Sequence, residues 1–392
     1  MQSKLQPRIF VVQIFIRHSK TMRNLIFSAF ALSASLSTNV FAHTAPIKLN
    51  FLDEYIIPAE LSVDGDKVGG LSSIEFVNGK YLMIADDYEK PRYFQAKISI
   101  EGTEVENTKI SNITFEKSFP LMGNKSNKRV VDPESLIPAP KQNSIVWTSE
   151  GSVKYNKPPA IFVQSLAGDI DQTQTTFALP KMFNIGKSTG PRHNAVFEGV
   201  TLDMSGKGIW VSMEGALKQD GEEATLKHGS MVRISHFDFA SKQMQKQFAY
   251  FVEPLVDRKG AKPDAFRTTG LVEILQISEH HFLTMERAYT SGLKDGGNNV
   301  SIYLIDTQDA TDTSNIASLK NQSFKAAKKT LVLDLATITD KLGSKQIDNL
   351  EGLTFGPTLA NGNRSLLMVA DNNFNVHGPQ LNQVLLFEVS GM

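Results

Sequence analysis

One pattern recurs five times along this chain of 392 residues, and it constrains the fold more than any single motif. The copies are GGLSSIEFVNGKYLMIADD (69–87), PESLIPAPKQNSIVWTSEG (133–151), FEGVTLDMSGKGIWVSMEG (197–215), TGLVEILQISEHHFLTMER (269–287) and LEGLTFGPTLANGNRSLLMVADN (350–372). Each runs from a short apolar strand through a polar turn to a stronger apolar strand and then an acid. Asn78-Gly79, Ser205-Gly206 and Asn361-Gly362 supply turn residues that tolerate positive φ. The second strands (YLMIA, IVWTS, IWVSM, LLMVA) are rich in β-branched and large apolar residues. A third strand follows each hairpin, and in the first four copies a fourth: KISNITF, TTFALP, QFAYFV and TLVLDL. Helical periodicity is scarce; LATITDKLG after Leu333 is the one fair candidate.

A four-stranded antiparallel unit repeated around a ring predicts an all-β fold, a β-propeller. Five repeats are visible, and a sixth, degenerate blade stays open at this stage. The last copy ends at VLLFEV without a fourth strand, while IKLNFL near the start has no hairpin of its own. That N-terminal strand is expected to complete the last blade and close the ring, so residues 43–392 read as one domain with no linker.

Ahead of that domain, MRNLIFSAFALSASLSTNVFA from Met22 has a basic start, an apolar small-residue run and a small-x-small ending at Ala42. Residues 1–42 are therefore expected to be a cleaved targeting segment, with Met22 the expected true start and a periplasmic or secreted product. No segment is long enough to span a membrane. Lys+Arg and Asp+Glu both number 41, so a basic surface for nucleic acid is not supported. The absence of cysteine excludes disulfides, Cys-ligated zinc and a Cys nucleophile. A monomer is expected.

In an antiparallel hairpin the start of the first strand and the end of the second share one edge of the sheet. The acids at strand-one entries are Glu134, Glu198 and Glu351; those at strand-two exits are Asp86, Asp87, Glu150, Glu214, Glu286 and Asp371. All should gather at one mouth of the central channel. Crowded carboxylates must protonate, pair with cationic side chains or share a cation, and a flexible ring of oxygens suits Ca²⁺ better than Mg²⁺. A Glu beside Gly at a strand entry also serves as a structural pin. Copies one and four carry Gly69 and Thr269 in place of that Glu, which favours a functional mouth for the ring as a whole.

Arg92, Arg129, Arg192 and Arg287 lie close to these acids in sequence and suit a phosphorylated or otherwise anionic small ligand. His193 could act as acid or base, although a loop His is more often simply solvated. Neither a Gly-rich phosphate loop nor an H-E-x-x-H or G-x-S-x-G motif is present.

The segments GLSSIEF…LMIADDYEKPRYF, DPESLIP…IVWTSEGS, FEGVTLDMSGKGIWVSMEGAL, GLVEIL…FLTMERAY and DNLEGLTFGP…LLMVADNNF…NQVLLFEV together resemble the phytase-like domain of exported bacterial proteins, described as "esterase-like activity of phytase". The resemblance covers the expected mature chain and implies a β-propeller with phosphoesterase activity. Ser135 stands where the pattern prefers Gly. The expectation is a Ca²⁺-dependent phosphoester hydrolase. Glu134, Glu150, Glu198, Glu351, Asp371 and Asp86 would be metal ligands; Glu198, Glu214, Glu286, Arg287 and Arg192 would do the chemistry; Arg92, Arg129 and Arg287 would bind substrate. The rival is a non-catalytic propeller that binds a ligand or envelope component at the same mouth.

Overall fold

The computed structural model describes residues 46–121, 132–139, 143–166 and 174–392. The expected targeting segment and Arg129 lie outside them. The chain opens with β1 (Lys48–Ile57) and a small hairpin, β2 (Ser62–Val63) and β3 (Asp66–Lys67). Blade one is β4 (Leu71–Val77), β5 (Lys80–Ala85), β6 (Arg92–Glu101) and β7 (Lys109–Pro120). Blade two is β8 (Pro133–Ala139), β9 (Ser144–Ser149), β10 (Ala160–Ser165) and β11 (Gln174–Thr176). Blade three is β12 (Phe197–Leu202), β13 (Gly208–Met213), β14 (Ser230–Asp238) and β15 (Met244–Val252). Blade four is β16 (Arg267–Gln276), β17 (His281–Thr290), β18 (Asn298–Asp306) and β19 (Lys328–Asp334). The last blade joins β20 (Leu350–Thr358), β21 (Arg364–Ala370) and β22 (Asn382–Ser390) to β1, in the order β1-β22-β21-β20.

The protein is thus a five-bladed β-propeller, and β1 closes the ring by pairing antiparallel with β22 from Lys48 opposite Ser390 to Ile57 opposite Asn382. The turns follow the sequence chemistry. Val77 pairs with Lys80, so Asn78 (φ 51°) and Gly79 (φ 79°) form a two-residue loop with both φ positive, the hairpin turn whose twist matches the strands. The expected helix is a short 3-10 segment, Leu335–Lys341, started by Asp334 accepting from the Ala336 N–H. Among the described residues no helix is long and apolar enough to cross a membrane.

The core lies between the blades, in apolar clusters that each join neighbouring sheets. Between blades three and four, Trp210 packs on Phe248 and Phe282 with ring centroids 5.2 and 5.5 Å away. Each such large buried side chain contributes about 1.5–3 kcal/mol.

The first strands β4, β8, β12, β16 and β20 lie side by side around the channel. Hydroxyls stitch them together. Ser73 accepts from Leu136 N–H (3.0 Å), Ser135 from Val200 (3.3 Å), Thr201 from Gln276 (3.3 Å) and Thr354 from Phe76 (3.4 Å). The approach is so close that a Cβ on Gly352 would sit 2.7 Å from Ser73 Cα, and one on Gly199 2.4 Å from Glu273 Oε1. The Gly of the repeated Glu-Gly pair is thus where neighbouring first strands pass each other.

Candidate functional site

Every blade breaks register at the same place. One extra residue bulges from the first strand near its start, between Leu71 and Ser73, Pro133 and Leu136, Phe197 and Val200, Leu271 and Glu273, and Leu350 and Gly352. A bulge of this kind re-aims a side chain. Glu134, Glu198 and Glu351 occupy this position in blades two, three and five. The equivalents in blades one and four are Ser72 and Val272, three residues beyond Gly69 and Thr269, which the Gly-Leu match in the sequence had placed there.

The second strands deliver the other set. Ala85, Ser149, Met213, Glu286 and Ala370 pair with equivalent first-strand residues, so the residues that follow them are equivalent too. They are Asp86, Glu150, Glu214, Arg287 and Asp371. Four blades present a carboxylate and blade four presents a guanidinium. Gly270 makes room for this: a Cβ there would fall 2.2 Å from Glu214 Cγ.

Glu286 is one residue out of phase with the other acids, and side chains alternate faces along a strand. It turns away from the mouth, accepts from Tyr250 OH (2.5 Å) and Glu253 N–H (3.0 Å), and pairs with Lys329. The expected ligand or base at 286 is therefore a structural acid between blades three and four. Arg92 also lies outside the mouth. Its guanidinium donates to Asp87 Oδ2 (2.5 Å), Lys90 O (2.8 Å) and Lys67 O (3.1 Å) and faces the Phe94 and Phe374 rings. These contacts make it a pin for its loop: both terminal nitrogens are spent there, its Nε is buried, and the residue is not part of the cavity lining.

The mouth is a cavity of about 990 Å³, lined by Asp86, Glu134, Glu198, Glu214, Glu351 and Asp371 with Arg287, Arg192 and His193. Oxygens of Asp86, Asp132 and Glu134 lie within 4.8 Å of one another, as do those of Glu134, Glu150 and Glu198. Asp132 is a member that sequence reasoning passed over. Its signal was present: Asp132 and Glu134 are two apart at a strand entry, which puts them on one face.

Arg287 Nη2 is 3.2 Å from Glu351 Oε1 and 3.5 Å from Glu214 Oε1, and its buried Nε has no hydrogen-bond partner. Asn349 donates to Glu351 (3.0 Å), and Asn373 N–H to Asp371 (2.6 Å). Arg192 lines the cavity, but Nε and Nη2 donate to Ala216 O (3.1 Å) and Gly221 O (2.7 Å). It holds the loop around residues 216–221.

Burial, reinforced by carboxylate neighbours, pushes Asp86, Glu134, Glu198 and Asp371 well above the usual carboxylate range, and Glu150 with them. Burial also raises Glu214 to about 7, against the pull of Arg287. For Arg287, burial alone would lower the guanidinium, but Glu351, Glu214, Glu198 and Asp371 more than offset it, so it stays a cation. The site concentrates negative charge around oxygen donors with one guanidinium in reach.

The sequence matches the Phytase-like family, "esterase-like activity of phytase", over residues 66–374. No curated protein matches it. In structure it is similar to the endo-arabinase from Bacteroides thetaiotaomicron (TM-score 0.44, 10% identity, 84% of this chain and 96% of that one). It is also similar to the α-L-arabinofuranosidase from Podospora anserina in complex with cellotriose (TM-score 0.43, 10% identity, 88% and 98%). A GH43 β-1,3-galactosidase with galactodeoxynojirimycin gives a TM-score of 0.41 at 11% identity, covering 86% and 92%. At these TM-scores the likenesses carry no argument about substrate. The family match spans most of the chain, and the recurring acid-tipped hairpins fall inside it: this five-bladed propeller belongs to the Phytase-like family.

Proposed function

We propose that the protein is an exported phosphoester hydrolase that works at the propeller mouth with a hard divalent cation, Ca²⁺ being the best match. The observation that carries the reading is the charge imbalance: carboxylates from blades one, two, three and five converge on one cavity, and Arg287 is the guanidinium that pairs with them. A set of carboxylate oxygens so close together is the donor chemistry of a hard cation. The residues present fit it. Asp86, Asp132 and Glu134, or Glu134, Glu150 and Glu198, would hold the ion. When bound, Ca²⁺ supplies charge neutralisation for a phosphoryl group and lowers the pKa of a water.

The chain's own groups do the rest. Arg287 lines the cavity with its Nη2 shared between Glu214 and Glu351, so its guanidinium would meet a phosphoryl oxygen bound beside those acids. Glu214 and Glu351 fix the guanidinium before the ligand arrives, which limits reorganisation when charge develops. With the ion held by Asp86, Asp132 and Glu134, the cavity-lining Glu198 would hold an attacking water and accept its proton. Glu286 and Arg92 take no part, since their contacts lie elsewhere. Export through residues 1–42, with the mature chain starting at His43, and a monomeric state belong to the same proposal.

The test is hydrolysis of an aryl phosphate by the purified mature protein, with Ca²⁺ and with chelator. Activity should require the cation and fall by roughly a hundredfold or more in Glu198→Gln. Turnover that survives both changes would contradict the reading; folded protein without turnover would leave the mouth as a ligand-binding site only.

A further inference from the structure

The cavity is lined by two unlike sets of residues. Carboxylates from blades one, two and five line it, while blade four contributes Phe266, Tyr289 and Leu293, and the segment after β15 contributes Leu255. Phe266 is 64% exposed, unusual for a large apolar ring, and its centroid lies 6.3 Å from that of Tyr289. A single exposed apolar residue means little. Here the exposed Phe266 sits beside Tyr289, and the half-buried Leu293 and Leu255 line the same charged cavity; apolar surface gathered this way marks a binding surface.

The wall is also held in place. Phe266 N–H donates to Ser291 Oγ and Ser291 N–H donates to Phe266 O, both at 2.9 Å. Arg267 donates to Ala265 O (3.0 Å) and Lys262 O (3.1 Å), tying down the segment that leads into the ring. Its two terminal nitrogens go to backbone carbonyls, while Arg192 divides its donors between backbone and Glu223 (3.5 Å). Arg287 is the guanidinium that pairs with the strand-end acids Glu214 and Glu351 of the mouth.

Charge then limits the ligand. Beside the acids, Arg287 and a cation can meet one phosphate, while Arg192 and Arg267 keep their charge but spend Nη donors on backbone carbonyls. A ring carrying several phosphates would bring more negative charge than these groups can meet, next to carboxylates that repel it. An uncharged flat group attached to that phosphate would instead lie on Phe266, Tyr289 and Leu293, where stacking and apolar burial favour it.

We infer that the substrate is a monophosphate ester of an aromatic or otherwise flat apolar alcohol, with the apolar group seated on the blade-four wall and Phe266 setting specificity. The inference rests on the phosphoester reading above and narrows it to a substrate class.

Calorimetric binding of phenylphosphonate and methylphosphonate to the mature protein, with Ca²⁺ supplied, tests it without turnover. Phenylphosphonate should bind at least about tenfold more tightly than methylphosphonate. Phe266→Ala should remove most of that advantage and leave methylphosphonate unchanged; Leu293→Ala should remove part of it. Both side chains lie on the rim, so the variants should fold, and unchanged methylphosphonate binding checks that they do. If both phosphonates bind equally, or the phenyl advantage survives both substitutions, the apolar subsite is overturned while the phosphoester reading stands. If neither binds, the phosphoester reading has failed and the subsite assignment falls with it.

Discussion

Two clusters of buried charge in this propeller look alike in composition and differ in balance. In blade three, Arg233 and Asp220 are both fully buried side chains, joined by Nε to Oδ2 at 2.6 Å and Nη2 to Oδ1 at 2.7 Å. Arg233 also donates to Gln247, Thr313 O and Ile316 O, and Asp220 accepts from Leu319 N–H. One charge meets one charge, and the remaining donors find the Gln247 side chain and backbone carbonyls. At the mouth, Asp86, Asp132, Glu134, Glu150, Glu198, Glu214, Glu351 and Asp371 face Arg287, whose Nε has no partner. The balanced cluster is complete as folded and pins the segment near residues 313–319 to blade three. The unbalanced one holds more carboxylates than guanidiniums, and the proposed cation would balance it. Burial alone does not separate a structural charge from a functional one; the sum of charges does.

The largest effect that could break this contrast is expected in the balanced cluster. Asp220→Ala leaves Arg233 buried and uncompensated, which should cost about 3–5 kcal/mol. Urea denaturation should show that loss equally with and without Ca²⁺. A loss that Ca²⁺ repairs would mean the two clusters are not independent.

A carboxylate between the two extremes sharpens the comparison. Glu75 on β4 is raised to about 7 from 4.5, by burial first, with Thr354 and Arg364 pulling the other way. Its charged neighbours are Arg364 and Glu273. The folded state holds this proton more tightly than the unfolded one, so its contribution to stability is fully present below pH 4.5 and is lost as pH rises through about 7. Glu75→Gln should therefore gain on the wild type between those limits, by up to about 3 kcal/mol at pH 8. Denaturation curves at pH 4 and pH 8 measure the difference. A constant gap between the two proteins would show that the fold holds the Glu75 proton no more tightly than the unfolded chain does.

How the repeats divide into strands was legible in the sequence because period two, turn residues and a missing fourth strand all pointed the same way. That Glu198, Glu214 and Asp371 would meet was legible too, since a hairpin returns to the edge it left. Register was harder. Matching Gly69-Gly70-Leu71 and Thr269-Gly270-Leu271 to Glu-Gly-Leu looked sound, but the bulge makes Ser72 and Val272 the equivalents of the acids. Glu286 failed by one position, and one position on a strand changes the face. Aligning Met285 with Ile84, rather than acid with acid, would have placed Arg287 at the mouth and Glu286 beside Lys329. Phe266 gave no sequence signal, because a rim residue is defined by what surrounds it in space.

The central claim is that the mouth is incomplete without a hard cation. Calorimetric titration of Ca²⁺ into chelator-treated protein, paired with thermal unfolding, tests it most directly. The account predicts saturable binding and a stability gain of about 2.7 kcal/mol at a hundredfold excess over Kd, both lost in Glu134→Gln, because Glu134 belongs to both oxygen clusters. Absence of binding in the wild type, or binding that Glu134→Gln leaves intact, would contradict it.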